Sequence, residues 1–113
     1  MKTYTVVFTP EAEESLVSIY EYIAGHGSPN VAARYTDAIV SHCERLATFP
    51  HRGTPRDDVR PGLRLTNYKR RAVIAFVIDD AAGQVAIIDV FYGGRDHQRL
   101  LGADDEDGSA GNA

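Results

Sequence analysis

The feature that most constrains the fold is a helix start signal that occurs twice in the first 30 residues. Thr9-Pro10 and Ser28-Pro29 each place a capping hydroxyl before a proline, which suits a first helical turn because no N–H is needed there. Apolar residues then recur at spacings of three and four, as on one buried helix face. The sequence therefore predicts a helical hairpin, with the first helix ending at residues 25–27 and the second at Pro50. The two stripes are Ala12, Leu16, Ile19, Tyr20 and Ile23, and then Val31, Tyr35, Ala38, Ile39, His42, Leu46 and Phe49.

Strand patterns lie on both sides of this hairpin. Tyr4, Val6 and Phe8 alternate with their neighbours in a period of two, which indicates a first strand. Three further strands are predicted at 63–68, 71–78 and 85–92, the last two joined by a turn at 79–83. The order β-α-α-β-β-β predicts an α+β fold in which the helical hairpin covers one face of a small, largely antiparallel sheet.

The last strand suggests a second functional face. Strict alternation would direct Ala86, Ile88 and Val90 toward the helices, and Val85, Ile87, Asp89 and Phe91 away from them. Two helices can cover only one face, so an open second face with apolar residues would be a partner-binding surface. The alternative is a central strand that is packed on both faces.

Length and composition limit the class of protein. With 113 residues, 43% hydrophobic and 25% charged, the chain has room for one globular domain, which we place at residues 1–102. We expect a cytoplasmic protein, because no apolar run approaches the ~20 residues of a membrane span. Cys43 is the single cysteine, so no internal disulfide can form. The four histidines form no HxH or HxxxH pair, and we expect neither a metal site nor a cofactor.

The net charge of −4 conceals two oppositely charged segments, and residues 1–102 carry twelve acidic against twelve basic side chains. Residues 104–107 are all acidic and belong to a tail, 103–113, for which we predict disorder. Residues 51–71 carry seven basic and two acidic side chains, on a backbone that Gly53, Pro55, Pro61 and Gly62 keep from being helical. This basic segment is expected to meet a polyanionic or acidic partner, since arginine grips carboxylates and phosphates through a planar fork.

An RNA-cleaving enzyme would need a general base, a general acid and cations beside the phosphate. Five residues could supply these groups: His51, Lys69, Arg71, Tyr92 and Arg95. No tight motif joins them. For His51, the sequence favours a loop residue that packs beside Phe49 and Pro50, because no orienting carboxylate is evident nearby.

Five segments together resemble ParE-type toxins, and the similarity extends from residue 4 to about residue 100. The segments are FTPEA (8–12), IYEYI (19–23), FPHRG (49–53), RDDVRPGLR (56–64) and YGGRD (92–96). The resemblance implies the toxin half of a type II toxin–antitoxin pair, as in plasmid stabilisation systems. ParE-like proteins share a fold with RelE nucleases but inhibit DNA gyrase and thereby block replication. Their antitoxin, ParD-like, has a DNA-binding ribbon-helix-helix end and a tail that wraps the toxin.

The resemblance is incomplete at two places. Tyr92 stands where ParE-like chains often have His before Gly-x-Arg-Asp, while RelE-like nucleases often have Tyr or His near the same end. The acidic tail is the other departure, because the extreme C-terminus contributes to toxicity in some ParE relatives.

Three functions therefore remain open. They are inhibition of gyrase, ribosome-dependent cleavage of mRNA as in RelE, and antitoxin binding without toxicity. The near-neutral body of the chain favours the first over the second, because proteins that grip RNA usually carry a basic excess. The residues expected to bind the target or the antitoxin are Arg52, Arg56, Arg60, Arg64, Arg71, Ile87, Asp89, Phe91, Tyr92, Arg95 and Asp96.

Overall fold

The computed structural model describes residues 3–93, which form two helices against a five-stranded sheet. Arg95, Asp96 and the tail 103–113, for which the sequence made predictions, lie outside the described residues. The helices are α1 (Pro10–His26) and α2 (Pro29–Glu44), and a single 3₁₀ turn (Arg45–Ala47) follows α2. The strands are β1 (Thr5–Phe8), β2 (Thr54–Pro55), β3 (Leu63–Tyr68), β4 (Ala72–Asp79) and β5 (Gln84–Tyr92).

The strand order across the sheet is β1-β5-β4-β3-β2. β1 pairs with β5 in parallel, and the other three pairings are antiparallel. The predicted α+β fold is confirmed, with one addition: the two-residue strand β2 lies within the segment that the sequence indicated as irregular. Pro55 is compatible with this position because an edge strand needs no N–H on its outer side.

Both predicted caps form. The hydroxyl of Thr9 accepts the N–H of Ala12 at 3.2 Å, and that of Ser28 accepts the N–H groups of Asn30 and Val31 at 3.0 and 3.2 Å. The second helix ends earlier than predicted, at Glu44, and the chain tightens to 3₁₀ geometry at Arg45–Ala47.

The main core lies between the helices and the sheet. Ile39, Leu46, Phe76 and Ile87 have no exposed surface there, and Cys43 is equally buried. Burial raises the pKa of the Cys43 thiol to about 12, so this group is an inert apolar side chain at neutral pH.

The opposite face of the sheet carries a smaller cluster. Leu63, Ala75 and Phe91 are at most 2% exposed at its centre, and partly buried apolar side chains surround them. The centre of this face is therefore packed, as in the alternative interpretation. The surrounding side chains are Val59, Leu65, Val73, Val77 and Ile88.

A β-bulge in β5 makes the predicted alternation wrong. Ala75 pairs with Asp89 but Phe76 pairs with Ile87, so Ile88 has no partner on β4. Val85 and Ile87 lie in the helix-facing core and Ile88 on the opposite face, each contrary to prediction. The Asp89 carboxylate accepts a hydrogen bond from the Ser15 hydroxyl of α1, also contrary to prediction. Val90 and Phe91 lie on the faces predicted for them.

Within residues 3–93, neither helix has the length and apolar character that a bilayer span requires.

Candidate functional site

The predicted site residues lie at opposite ends of the sheet. At one end, the turn after β3 carries Lys69 and Arg71, and Tyr92 pairs with Ala72 beside it. At the other end, the amide of Ile78 donates to the carbonyl of Gly62, which brings loop 51–62 close to the turn between β4 and β5. β4 has eight residues and connects the two ends, so they are about 23 Å apart. We call them the tyrosine end and the loop end.

Three consecutive basic residues, Lys69, Arg70 and Arg71, are exposed at the tyrosine end and form what we call the cationic turn. Lys69 has a φ of +55°, and it is alone among the non-glycine residues of 3–93 in having a positive φ. Its Nζ atom lies 5.6 Å from the centre of the Tyr68 ring, within the range of a cation–π contact. The carbonyl of Arg71 accepts the amide of Gly93 at 2.7 Å, which joins the turn to the end of β5.

Four tyrosine rings pack beside the cationic turn. Tyr92 contacts Tyr22 and Tyr35, with ring centres 5.8 and 5.5 Å apart, and Tyr35 also contacts Tyr68 at 5.7 Å. These tilted and edge-on arrangements are the ones that ring quadrupoles favour. We call Tyr22, Tyr35, Tyr68 and Tyr92 the tyrosine cluster. Both helices and the ends of β3 and β5 contribute to it, so it stabilises this end of the fold.

Tyr35 lies deepest in this cluster. Its hydroxyl is buried and has no hydrogen-bond partner among the described residues. Burial raises the pKa of Tyr35 to about 12, with smaller contributions from Tyr92 and Tyr68, while the charge of Arg71 acts in the opposite direction. Tyr35 therefore stays protonated at neutral pH, and its role is packing.

Two histidines border the cluster. The ring of His26 lies 4.2 Å from that of Tyr22, and its Nδ1 atom is 2.8 Å from the Tyr22 carbonyl oxygen. The ring of His42 lies 5.2 Å from that of Tyr68. Its Nε2 atom is buried without a partner in the described part of the chain, and burial lowers the pKa of His42. His42 is therefore neutral at pH 7.

His51 lies at the loop end, beside an acid that the sequence did not reveal. Its Nε2 atom is 3.4 Å from Oδ1 of Asp80, and the hydroxyl of Tyr4 donates to the same oxygen. This hydrogen bond is the main cause of a raised Tyr4 pKa. The prediction that His51 lacks a nearby carboxylate is wrong. His51 and Asp80 line a cavity of about 160 Å³, together with Asp57 and Arg64. Tyr4 is not part of the cavity wall.

Two of the predicted binding arginines are engaged within the protein. Arg56 makes two hydrogen bonds to the Asp58 carboxylate, at 2.9 and 2.8 Å, and this holds the pKa of Asp58 below its usual value. Arg64 donates from Nε to the carbonyl of Arg52 at 2.8 Å and thereby fixes the loop. Arg60 is exposed and is in neither of the ion pairs found within residues 3–93.

The structure brings together only part of the predicted catalytic set. Lys69, Arg71 and Tyr92 share the tyrosine end, whereas His51 lies at the loop end and Arg95 is outside the described residues. Of the predicted binding residues on β5, Ile87 has no exposed surface and Phe91 only 2%, so neither offers a surface to a partner. Sequence reasoning counted Arg70 in the basic segment but did not include it among the binding residues, and it did not predict that the tyrosines of the helices contact Tyr68 and Tyr92. Tyr68 and Tyr92 could have been found, since they end two strands predicted to share one sheet.

A groove runs along the outside of the helical hairpin. It encloses about 370 Å³ between the outer sides of α1 and α2. Val17 is 56% exposed at its wall. The lining is mainly apolar and includes two acidic residues: Leu16, Val17, Tyr20, Glu21, Thr36, Asp37 and Val40.

Comparisons with known proteins agree with this architecture. The chain is similar to a ParDE toxin–antitoxin system of P. aeruginosa, with 20% identity, a TM-score of 0.69, and coverage of 80% of this chain and 96% of the other. It is also similar to a RelBE toxin–antitoxin complex of Mycobacterium tuberculosis, with 25% identity, a TM-score of 0.58, and coverage of 81% and 93%. A search of the curated proteins found no match. The family model of the ParE toxin of type II toxin–antitoxin systems matches residues 6–97, and the chain therefore belongs to the ParE toxin family.

Proposed function

We propose that the protein inhibits DNA gyrase in the cytoplasm and so blocks replication until a cognate ParD-like antitoxin neutralises it. Membership of the ParE family supports gyrase as the target. The observation that carries the choice between inhibitor and nuclease is the separation of His51 from Lys69, Arg71 and Tyr92 by the length of β4.

Cleavage of RNA by its own 2′-hydroxyl requires a base and an acid on the two sides of one phosphate. The tyrosine end supplies cations and phenols, but His51, the histidine of the candidate set, lies at the other end. Of the nearby histidines within residues 3–93, His42 has a buried Nε2 atom and a neutral ring, and His26 uses Nδ1 in a contact with its own helix. An inhibitor needs none of these proton transfers, because binding alone accounts for its effect.

A RelE-like nuclease is the second candidate. Lys69, Arg71 and Tyr92 do meet at one end, and two of them are cations that could stabilise charge on a phosphate. The similarity to a RelBE complex is compatible with this chemistry. Such a nuclease would have to draw its base from His26 or from residues beyond 93.

The decisive experiment compares the two targets with one preparation. The toxin, separated from co-expressed antitoxin and refolded, is added to purified gyrase with relaxed plasmid and to a cell-free translation reaction. We expect loss of supercoiling while translation continues. A Tyr92→Phe variant should retain this inhibition, because an inhibitor needs no proton donor there. Cleavage of mRNA on the ribosome, removed by Tyr92→Phe, together with unaffected supercoiling, would establish the nuclease instead.

We assign the groove between the helices to the antitoxin. Both structural neighbours belong to toxin–antitoxin systems, and the groove offers an apolar floor with Glu21 and Asp37 at its rim. An amphipathic antitoxin helix with basic flanking residues fits that pattern.

The test of this assignment is co-purification with the adjacent gene product. Val17→Asp should abolish it, because the charge would face the apolar floor. Val31→Asp is the matched control, since Val31 is 46% exposed but does not line the groove. Equal retention of antitoxin by the two variants would contradict the assignment.

A further inference from the structure

The cationic turn differs from the other charged surfaces of the protein. Lys69, Arg70 and Arg71 are consecutive, exposed, and absent from the ion pairs found within residues 3–93. At the loop end, by contrast, Arg56 pairs with Asp58 and Arg64 donates to a backbone carbonyl. The turn therefore presents a concentrated positive charge to the solvent, at which an acidic partner would be favourable.

The backbone holds this turn in one position. Tyr68 pairs with Ala72 across the turn, and Ala72 also pairs with Tyr92 of β5. The amide of Gly93 donates to the carbonyl of Arg71 at 2.7 Å. A surface that is already ordered loses little conformational entropy when it binds, so more of the charge attraction remains as binding free energy.

Lys69 has a backbone conformation that lysine does not favour. Its φ of +55° lies in the left-handed region, which glycine and asparagine adopt more readily. Glycine at this position would relieve the strain but would remove the charge. Strained residues of this kind concentrate at functional sites, so the lysine indicates a use for the charge beyond folding.

The surroundings of the turn fit carboxylates on a protein better than phosphates on a nucleic acid. Residues 1–102 carry as many acidic as basic side chains, whereas nucleic-acid-binding domains usually have a basic excess. The rings of Tyr68 and Tyr92 each pack edge-on with Tyr35, and these contacts use ring surface on which bases would otherwise stack. Arginines beside tyrosines are instead typical of the residues that dominate protein–protein binding.

The cationic turn and the groove between the helices have opposite charges. The groove includes Glu21 and Asp37, which suit an antitoxin helix with basic flanking residues. The cationic turn would repel such flanking residues, so the two surfaces select different partners. The turn is therefore available to the target of the toxin.

We propose that the cationic turn is the surface with which the toxin contacts gyrase, and that its three cations bind carboxylates exposed on the gyrase protein. The choice of gyrase rests on the proposed function, whereas the choice of the turn rests on its exposed charges and its backbone. Arginine suits this contact because its planar guanidinium can donate two hydrogen bonds to one carboxylate.

The first test compares two variants that each lose two exposed arginines. In a supercoiling assay, Arg70→Gln/Arg71→Gln should need about ten times more toxin for half-inhibition than the unchanged chain. The matched control, Arg34→Gln/Arg45→Gln, removes the same charge from α2 and the 3₁₀ turn and should inhibit as the unchanged chain does. Tm should be the same in both variants, because all four side chains are exposed.

The failure of this inference is distinguishable from the failure of the proposed function. If the unchanged chain inhibits gyrase and Arg70→Gln/Arg71→Gln inhibits equally well, the cationic turn is not the contact and the inference alone is overturned. An equal loss in the Arg34→Gln/Arg45→Gln control has the same meaning, because net charge rather than the turn would then matter. If the unchanged chain has no effect on gyrase, the proposed function fails, and the contact with gyrase fails with it.

Lys69→Gly separates binding from folding. Glycine adopts a positive φ without strain, so this variant should have a Tm at least as high as that of the unchanged chain. Inhibition should nevertheless need about two to five times more toxin, because one charge of the contact is lost. A variant that inhibits as strongly as the unchanged chain would contradict the inference.

Binding without DNA identifies the chemistry of the partner. With immobilised gyrase and no DNA, the unchanged chain should bind about ten-fold more tightly than Arg70→Gln/Arg71→Gln at low salt. The difference should disappear at 1 M salt, where exposed charges interact over only about 3 Å. If the two chains bind gyrase equally and differ only after DNA is added, the turn contacts DNA and the inference is overturned.

Discussion

The loop end and the tyrosine end both carry several charged side chains, but they use them differently. At the loop end, Arg56 pairs with Asp58, Arg64 holds backbone carbonyls, and His51 lies beside Asp80. At the tyrosine end, the three cations of the cationic turn are exposed beside the packed rings of the tyrosine cluster. A count of basic residues along a segment therefore does not locate a binding surface. At the loop end Arg56 and Arg64 are engaged within the protein and Arg60 is exposed, whereas all three cations of the cationic turn are exposed.

The largest expected effect concerns the backbone at the loop end. Gly53 has a φ of +79°, and a Cβ atom there would lie 2.3 Å from the carbonyl oxygen of Leu65. Gly53→Ala should therefore lower the free energy of unfolding by about 3 kcal/mol, because the β2–β3 pairing would have to open. Urea denaturation measures this change.

Gly25→Ala is the matched control. Gly25 lies within α1, and a Cβ atom there would meet nothing within 4 Å. The substitution should raise the free energy of unfolding by about 0.5–1 kcal/mol, since alanine favours helix more than glycine does. A similar loss in both variants would show that Gly53 is not specifically required.

The change from Tyr to Phe should affect the free energy of unfolding differently at the two ends. Tyr4→Phe removes a hydrogen bond to the Asp80 carboxylate and should cost about 1 kcal/mol of unfolding free energy. Tyr35→Phe removes a buried hydroxyl without a partner in residues 3–93 and should leave stability unchanged or improve it. Thermal and urea unfolding of the two variants provide the comparison, and a loss at Tyr35 as large as at Tyr4 would contradict it.

A smaller effect should appear as a dependence of stability on pH. Burial, followed by the charges of Arg45 and Arg52, lowers the pKa of His42 from 6.5 in the folded protein. Below pH 6.5 the unfolded chain therefore binds more protons at this residue than the folded protein does. The contribution of neutral His42 to the free energy of unfolding is complete above that pH and declines as the pH falls below it. His42→Gln should weaken the dependence of the free energy of unfolding on pH between about pH 7.5 and pH 5.5. Asn67→Gln, at an exposed position of β3 without a titratable side chain, is the control and should leave this slope in place.

The smallest effect is expected from the tail. We propose that residues 1–102 form the folded domain and that 103–113 are not needed for folding. Deletion of 103–113 should leave Tm nearly unchanged, because these residues contain no large apolar side chain to anchor them. A drop of several degrees in a calorimetric scan would show that the tail packs against the domain.

Local chemistry made much of the fold predictable. Thr9-Pro10 and Ser28-Pro29 identified both helix starts, and the period of two identified four of the five strands. The errors came from contacts between distant residues. The bulge at Ile88 depends on how β4 pairs with β5, and one extra residue reverses the faces of Val85 and Ile87.

The candidate site was less predictable for the same reason. Asp80 lies 29 positions after His51, and Tyr22 lies 70 positions before Tyr92. Neither pair leaves a local pattern in the sequence. Lys69 and Arg71 were identified because RNA cleavage needs cations beside the phosphate, a requirement that can be applied without knowledge of the contacts.

The parallel pairing of β1 with β5 determines when, during its synthesis, the domain can finish folding. Residues 5–8 are made early on the ribosome, but their partners at 84–87 are made near the end of the domain. The hydroxyl of Thr9 donates to the carbonyls of Ile87 and Ile88, so these hydrogen bonds also form only after β5 has been made. Contacts so distant in sequence close slowly, because the intervening chain must first lose its freedom. A nascent chain interrupted before β5 has an incomplete core, so the domain cannot complete its fold until most of its length has been synthesised.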